Sequence, residues 1–302
     1  MAAKQWCPWW GDDQRQRFLG EVEEVAAARW DAHDLDAEAG TLAVPALRTT
    51  LTLAPVARAC TAVPQAGWRA QVYEFCSWAE ARSPERLWRH FSAMSPDEAA
   101  AGMKLLAHQA QPGRPRPAGQ EIAGGLMTAL AHEYDGSPVP LPAHQLDEWG
   151  LDAAEMHEIA KQAVLDRYRL TREPGPEGKW DYYTGQSPFA SGNLASMDKI
   201  APGAGPAGVL VAVPAAQMIL AAAVGPWWPD EYRETLSSLF RASIVVHSAA
   251  NCPISPAVVW VQSSGLAREV AGFSAEGRPR LRCPSELRQI MRGRGAQGLD
   301  LD

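Results

Sequence analysis

The sequence predicts an α+β protein: a mostly helical N-terminal region, then an antiparallel sheet backed by helices. Three observations carry that expectation. Apolar residues recur at helical spacing over 14–30, 54–79 and 151–170. Two apolar runs, Val209 to Val213 and Met218 to Val224, flank Pro214-Ala215-Ala216-Gln217 and read as a β-hairpin. A helix over Asp230 to Ser243 and a second strand pair within 257–270 follow, an order that favours an antiparallel sheet over a doubly wound parallel one.

The elements follow in chain order. In QRQRFLGEVEEVAAARW, Phe18, Val22, Val25 and Ala26 share one face of a helix. Asp12 and Asp13 stand before it, where carboxylates complement the helix dipole, so capping accounts for them better than a metal-binding acidic pair. Short extended pieces are expected over Thr41 to Leu53. Residues 54–79 form two short helices broken at Pro64-Gln65-Ala66-Gly67, with Cys60 and Cys76 as small core residues. Ser95-Pro96-Asp97-Glu98 is a capping-box start for a helix expected to reach Gln111.

QPGRPRPAG cannot continue a helix, which sets the domain scheme: a helical region 1–111, a Pro/Arg/Gly linker 112–119, an α+β region 120–270 and a tail 271–302. Residues 120–135 read as a short helix or strand. Asp152 caps the helix that follows, with Met156, Ile159, Ala160, Ala163 and Val164 inward. The tail carries six Arg against four acidic residues, is Gly-rich, and is expected to be partly disordered.

Composition narrows the function. The chain has 302 residues, 46% hydrophobic, enough for a large core without staples. Its net charge of -7 argues against a general nucleic-acid binder. Five cysteines without a C-x-x-C pair read as reduced thiols, and no signal sequence or membrane span is evident, so a cytoplasmic protein is expected. No cofactor is implied.

The order of pieces resembles a known family. The segment from Pro117 to Val164, PAGQEIAGGLMTALAHEYDGSPVPLPAHQLDEWGLDAAEMHEIAKQAV, is similar to the middle of the bacterial YtpQ-like family (domain of unknown function 1444). GVLVAVPAAQMILAAAVG, YRETLSSLFRASI and CPISPAVVWVQSSG are similar to its later part, and LAPVARACTAVPQAGWRAQVYEF to its N-terminal region. The resemblance spans about residues 14–270. It implies a fold but no catalytic residues, because the family has no established activity. The WCPWW start, Trp227-Trp228 and the Arg-rich tail depart from the family pattern and imply a specialised member.

No catalytic signature is complete. His132, His144 and His157 lack the H-E-x-x-H spacing that puts two imidazoles on one helix face, and scattered surface or capping roles suit them better. There is no G-x-S-x-G elbow. Cys252, in a loop near His247, is the thiol best placed for a nucleophile–base pair. The glycine-rich APGAGPAG precedes a strand instead of following one, the reverse of a dinucleotide loop.

Aromatics are the unusual feature: 12 Trp against 6 Phe and 6 Tyr. Trp30, Trp68, Trp78 and Trp88 fall in helical patterns and are expected to pack. Trp6, Trp9, Trp10, Trp227, Trp228 and the stretch KWDYYTGQSPFASGN are expected in loops. Loop aromatics can stack on a ligand or anchor an interface. The candidate ligand-binding residues are therefore Trp180, Asp181, Tyr182, Tyr183 and Asn193. The function expected is an accessory protein that binds a small molecule or protein partner through aromatic loops. The alternative is a cofactor-independent enzyme acting on a small aromatic or peptide-derived substrate in a bacterial biosynthetic pathway.

Overall fold

A computed structural model describes residues 6–110, 115–201, 203, 205, 207–225, 229–250, 252–262, 264–274 and 277–292. Trp227-Trp228, Gln111, the first three residues of the linker and the last ten residues lie outside the described residues, as do parts of APGAGPAG. The fold is α+β, and the chain divides into two units between Met94 and Ser95, upstream of the Pro/Arg/Gly stretch.

The first unit opens with α1 (Asp12–Arg29), which carries Asp12 and Asp13 in its first turn. Strands β1 (Asp34–Asp36), β2 (Thr41–Val44) and β3 (Thr49–Thr52) form an antiparallel sheet in that order. Helices α2 (Ala54–Thr61), α3 (Trp68–Ala81) and α4 (Pro84–Ser92) follow, with α2 and α3 separated at the Pro-Gln-Ala-Gly break. Phe18, Val22, Leu42, Leu53, Cys60, Trp68, Val72 and Cys76 build the core. The Trp-rich start folds onto it. Trp10 sits 5.1 Å from the Phe18 ring and 4.9 Å from Trp68. Trp6 covers Gly40 so closely that no Cβ fits there, and Gly40 has φ +64.

The second unit begins with the capping box at Ser95, which starts α5 (Pro96–Gly102). The helix expected to reach Gln111 stops at Gly102. Lys104–Gln109 is instead strand β4, and all six of its residues pair with the strand Leu126–Tyr134. A full ladder with Leu105, Leu106 and Ala107 buried outweighs local helix propensity here. β5 (Gly119–Ala123), β6 (Leu126–Tyr134) and β7 (Ser137–Pro140) complete this sheet. Two helices follow, α6 (Ala143–Trp149) and α7 (Ala153–Arg167).

α7 buries Met156, His157, Ala160 and Val164, while Ile159 is 46% exposed. His157 thus takes the inward place expected of Ile159. A 3-10 stretch, Pro188–Ser196, runs along β4: Ser191 Oγ accepts the Ala107 N–H at 3.1 Å, and Gly192 abuts the Leu105 carbonyl.

The larger sheet contains β8 (Thr171–Pro174), β9 (Asp181–Thr184), β10 (Val209–Ala215), β11 (Met218–Ala223), β12 (Val258–Val261), β13 (Ala267–Phe273) and β14 (Pro279–Leu281). Its strands run in the order β14-β13-β12-β10-β11-β9-β8, every pair antiparallel. α8 (Met197–Ile200), α9 (Pro229–Ala249) and α10 (Ser285–Arg292) complete the unit. β10 is buried on both faces, which is why it reads as an uninterrupted apolar run. Leu210 and Ala212 join Leu236, Leu239 and Phe240 of α9; Val209, Val211 and Val213 join Leu194 and Met197. Pro214 sits where the β10–β11 register shifts, a place where a missing N–H is tolerated.

The stretch from Ala271, expected to be a partly disordered tail, contributes the end of β13, then β14 and α10. Cys283 and Leu287 are buried in the core beneath α9. Among the described residues, no helix is long and apolar enough to cross a membrane.

Candidate functional site

The expected aromatic loop is in fact strand β9 and its flanks. Trp180 is buried, and its indole N–H donates to Ser238 Oγ at 3.1 Å. Tyr182 packs edge-on to it, ring centroids 4.7 Å apart, and Tyr183 is buried on the opposite face of the sheet. Asn193 is buried and donates to the carbonyls of Tyr168 and Ala190 at 2.8 and 3.1 Å. Trp180, Tyr183 and Asn193 are thus buried, while Tyr182 is half-buried. Asp181 pairs with Arg172 at 3.0 Å.

Trp180 and Asp181 do border a groove of about 410 Å³ with Arg172, Lys179, Glu231 and Glu234. Its charges are largely neutralised in place, since Lys179 also pairs with Glu234 at 2.7 Å.

Of the expected thiol pair, Cys252 is exposed and His247 lies in the last turn of α9. The loop at Cys252 also serves the fold. The Cys252 carbonyl accepts the Ala216 N–H at 3.1 Å and ties the loop to the β10–β11 turn. His132 lies on β6, His144 on α6 and His157 on α7. Among the described residues, no three His, Cys, Asp or Glu side chains converge on one point as a metal site would require.

Exposure among the tryptophans also differs from expectation. Trp78 and Trp88, expected to pack, are 49% and 57% exposed on α3 and α4. Trp6, Trp9 and Trp10, expected in loops, lie in the turns before α1 and rest against the first unit's core.

A further site is one the sequence did not single out. β13, β14 and the start of α10 border an open cleft of about 930 Å³ lined by Arg268, Glu269, Arg280, Arg282, Glu286 and Arg288. The backbone explains the convergence. Pro279–Leu281 pairs with β13, and the Arg282 N–H extends the ladder to the Val270 carbonyl at 2.7 Å. Alternate residues of a strand point the same way, so Arg280 and Arg282 leave one face about 7 Å apart.

The rim is fixed by other groups. The Tyr232 hydroxyl donates to the Arg282 carbonyl at 2.9 Å, and Arg288 Nε donates to the Cys283 carbonyl at 2.9 Å. Burial raises the Cys283 thiol to about 11, so it is a packing group here.

The four arginines are not equivalent. Arg268 is committed to Glu286 at 3.2 Å and to the Ala267 carbonyl at 3.0 Å. Among the described residues, Arg280 and Arg282 have no hydrogen bond or ion pair to their guanidinium groups. A signal for them was present in the sequence: RPRLR places Arg278, Arg280 and Arg282 at the two-residue period of a strand.

Compared with protein-family models, with curated proteins and with solved structures, the chain finds no match.

Proposed function

We propose that this chain is an accessory protein that binds a small anionic ligand in the cleft between β13, β14 and α10. One observation carries the reading: Arg280 and Arg282, with no hydrogen bond or ion pair to their guanidinium groups among the described residues, both line a roomy cleft of a chain whose net charge is -7. Local charge opposite in sign to the whole draws anions to that point. Guanidinium forks match carboxylate and phosphate geometry, and the cleft volume lies within the usual range for small-ligand sites.

Membership of the YtpQ-like family is carried as part of the same proposal. It rests on the β10–β11 hairpin, α9 and the Ser255-Pro256 entry to β12. A bacterial, cytoplasmic setting is proposed with it, supported by five cysteines that are all free.

The test is thermal unfolding of the full chain in inorganic phosphate against chloride at matched ionic strength. A ligand that binds only the folded state raises the midpoint. Phosphate should raise it for the wild type and not for the Arg280→Ala/Arg282→Ala double variant. Equal midpoints in both salts for the wild type would overturn the proposal.

A further inference from the structure

The cleft also holds a group whose chemistry opposes that of its arginines. Glu269 lines it from β13. Its carboxylate is wedged between Gly124, at the β5–β6 turn, and Gly272 of its own strand. A Cβ on Gly272 would stand 2.8 Å from Glu269 Oε1, and one on Gly124 would collide with Oε2. Both positions therefore need glycine for the carboxylate to lie where it does. Among the described residues, no hydrogen bond or ion pair reaches Glu269, whereas Glu286, the other carboxylate in the cleft, is committed to Arg268 and Ser285. Burial raises the Glu269 carboxyl, and Arg282 pulls it partly back.

An ionised carboxylate only accepts hydrogen bonds. Placed beside an anion held by Arg280 and Arg282, it faces two situations. An oxyanion with no hydrogen sets lone pairs against lone pairs and two negative charges together. An oxyanion that carries an O–H donates it to Glu269, and a repulsion becomes a charge-assisted hydrogen bond. We infer that Glu269 is the specificity-determining residue of the cleft and selects oxyanions that bring their own hydrogen-bond donor, monohydrogen phosphate being the simplest. This inference rests on the anion-binding reading above.

Sulfate and monohydrogen phosphate separate the two situations. Both are tetrahedral dianions, and only phosphate has an O–H to give. The experiment is calorimetric titration of the full chain with each anion at mildly alkaline pH, for the wild type, Glu269→Gln, Glu269→Asp and the Arg280→Ala/Arg282→Ala double variant.

The wild type should bind phosphate at least about tenfold more tightly than sulfate. Glu269→Gln offers an N–H donor as well as an acceptor, and should bring the two anions within about threefold by tightening sulfate. Glu269→Asp keeps the carboxylate and should keep the preference for phosphate, which guards against a folding artefact in the Gln variant. The double variant should lose both anions. Equal binding of both anions by the wild type, with a ratio unchanged in Glu269→Gln, overturns the selection and leaves the anion cleft standing. Failure of the wild type to bind either anion overturns the cleft itself.

Discussion

His157 Nε2 lies 2.8 Å from Thr128 Oγ1, with both side chains buried where α7 meets β6. Burial holds the imidazole below its ordinary range, against the upward pull of Glu158, whose carboxylate lies 3.8 Å from Nδ1, while Lys161 adds to the lowering. The folded state therefore favours neutral His157. The unfolded chain takes up the proton at about pH 6.5. Stability from the neutral ring is fully present above that pH and is lost as pH falls below it. His157→Gln should cost about 1–3 kcal/mol at neutral pH. It should also make stability fall less steeply between neutral and mildly acidic pH. Urea midpoints at both pH values check this; equal slopes for variant and wild type would remove His157 from the acid response.

The tryptophans differ sharply in what they stabilise. Trp68 is buried, contacts Trp10 and Phe18, and donates its indole N–H to the Cys60 carbonyl at 2.9 Å. Trp68→Ala should cost about 3–5 kcal/mol. Trp88, 57% exposed on α4, should cost within about 0.5 kcal/mol when changed to Gln. Denaturant unfolding of the two variants measures the contrast, and a large loss from Trp88→Gln would mean that α4 is covered.

Thiol chemistry should single out Cys252. Cys7, Cys60, Cys76 and Cys283 are buried, and desolvation raises Cys60, Cys76 and Cys283 to about 11. Iodoacetamide at neutral pH should label Cys252 first and leave the other four until urea unfolds the chain. Mass spectrometry of the digested protein reads the order; early labelling of Cys60 or Cys76 would contradict their packing in the core.

Gly208 is a point of close approach in the larger sheet. It has φ +84, and a Cβ there would press on the Val261 carbonyl and stand 3.0 Å from Trp260 Nε1. That indole is fully buried and donates to the Ala207 carbonyl at 2.7 Å. Gly208→Ala should destabilise by about 1–3 kcal/mol through strain. Near-ultraviolet circular dichroism should change with it, because Trp260 must shift; an unchanged spectrum and midpoint would show that the turn can yield.

The sequence was most legible where local and tertiary forces agree. The hairpin over 209–224 could be read because both faces of β10 are apolar, although its loop is shorter than Pro214 suggests, since Pro214 and Ala215 still belong to the strand. The start of α5 could be read because Ser95 and Glu98 satisfy each other's backbone N–H groups. Its end could not, because β4 takes its structure from β6, a partner distant in sequence. Asp181 to Thr184 read as a loop because polar residues and glycines surround them, although their neighbours in the sheet are Met218 to Ala221. The arginine cleft was hidden by composition: Gly and Arg suggest an unstructured tail, and only the pairing of β14 with β13 reveals that two of those arginines share a face.

The 3-10 stretch along β4 has a consequence for crowding in solution. A bare sheet margin invites a strand from a second molecule. Ser191 occupies the Ala107 amide, and Gly192 lies so close to the Leu105 carbonyl that no foreign backbone can be inserted between them. Polymerisation by strand addition is thereby blocked at β4. The margins of the larger sheet are guarded differently: β8 carries Pro174 and β14 is only three residues long.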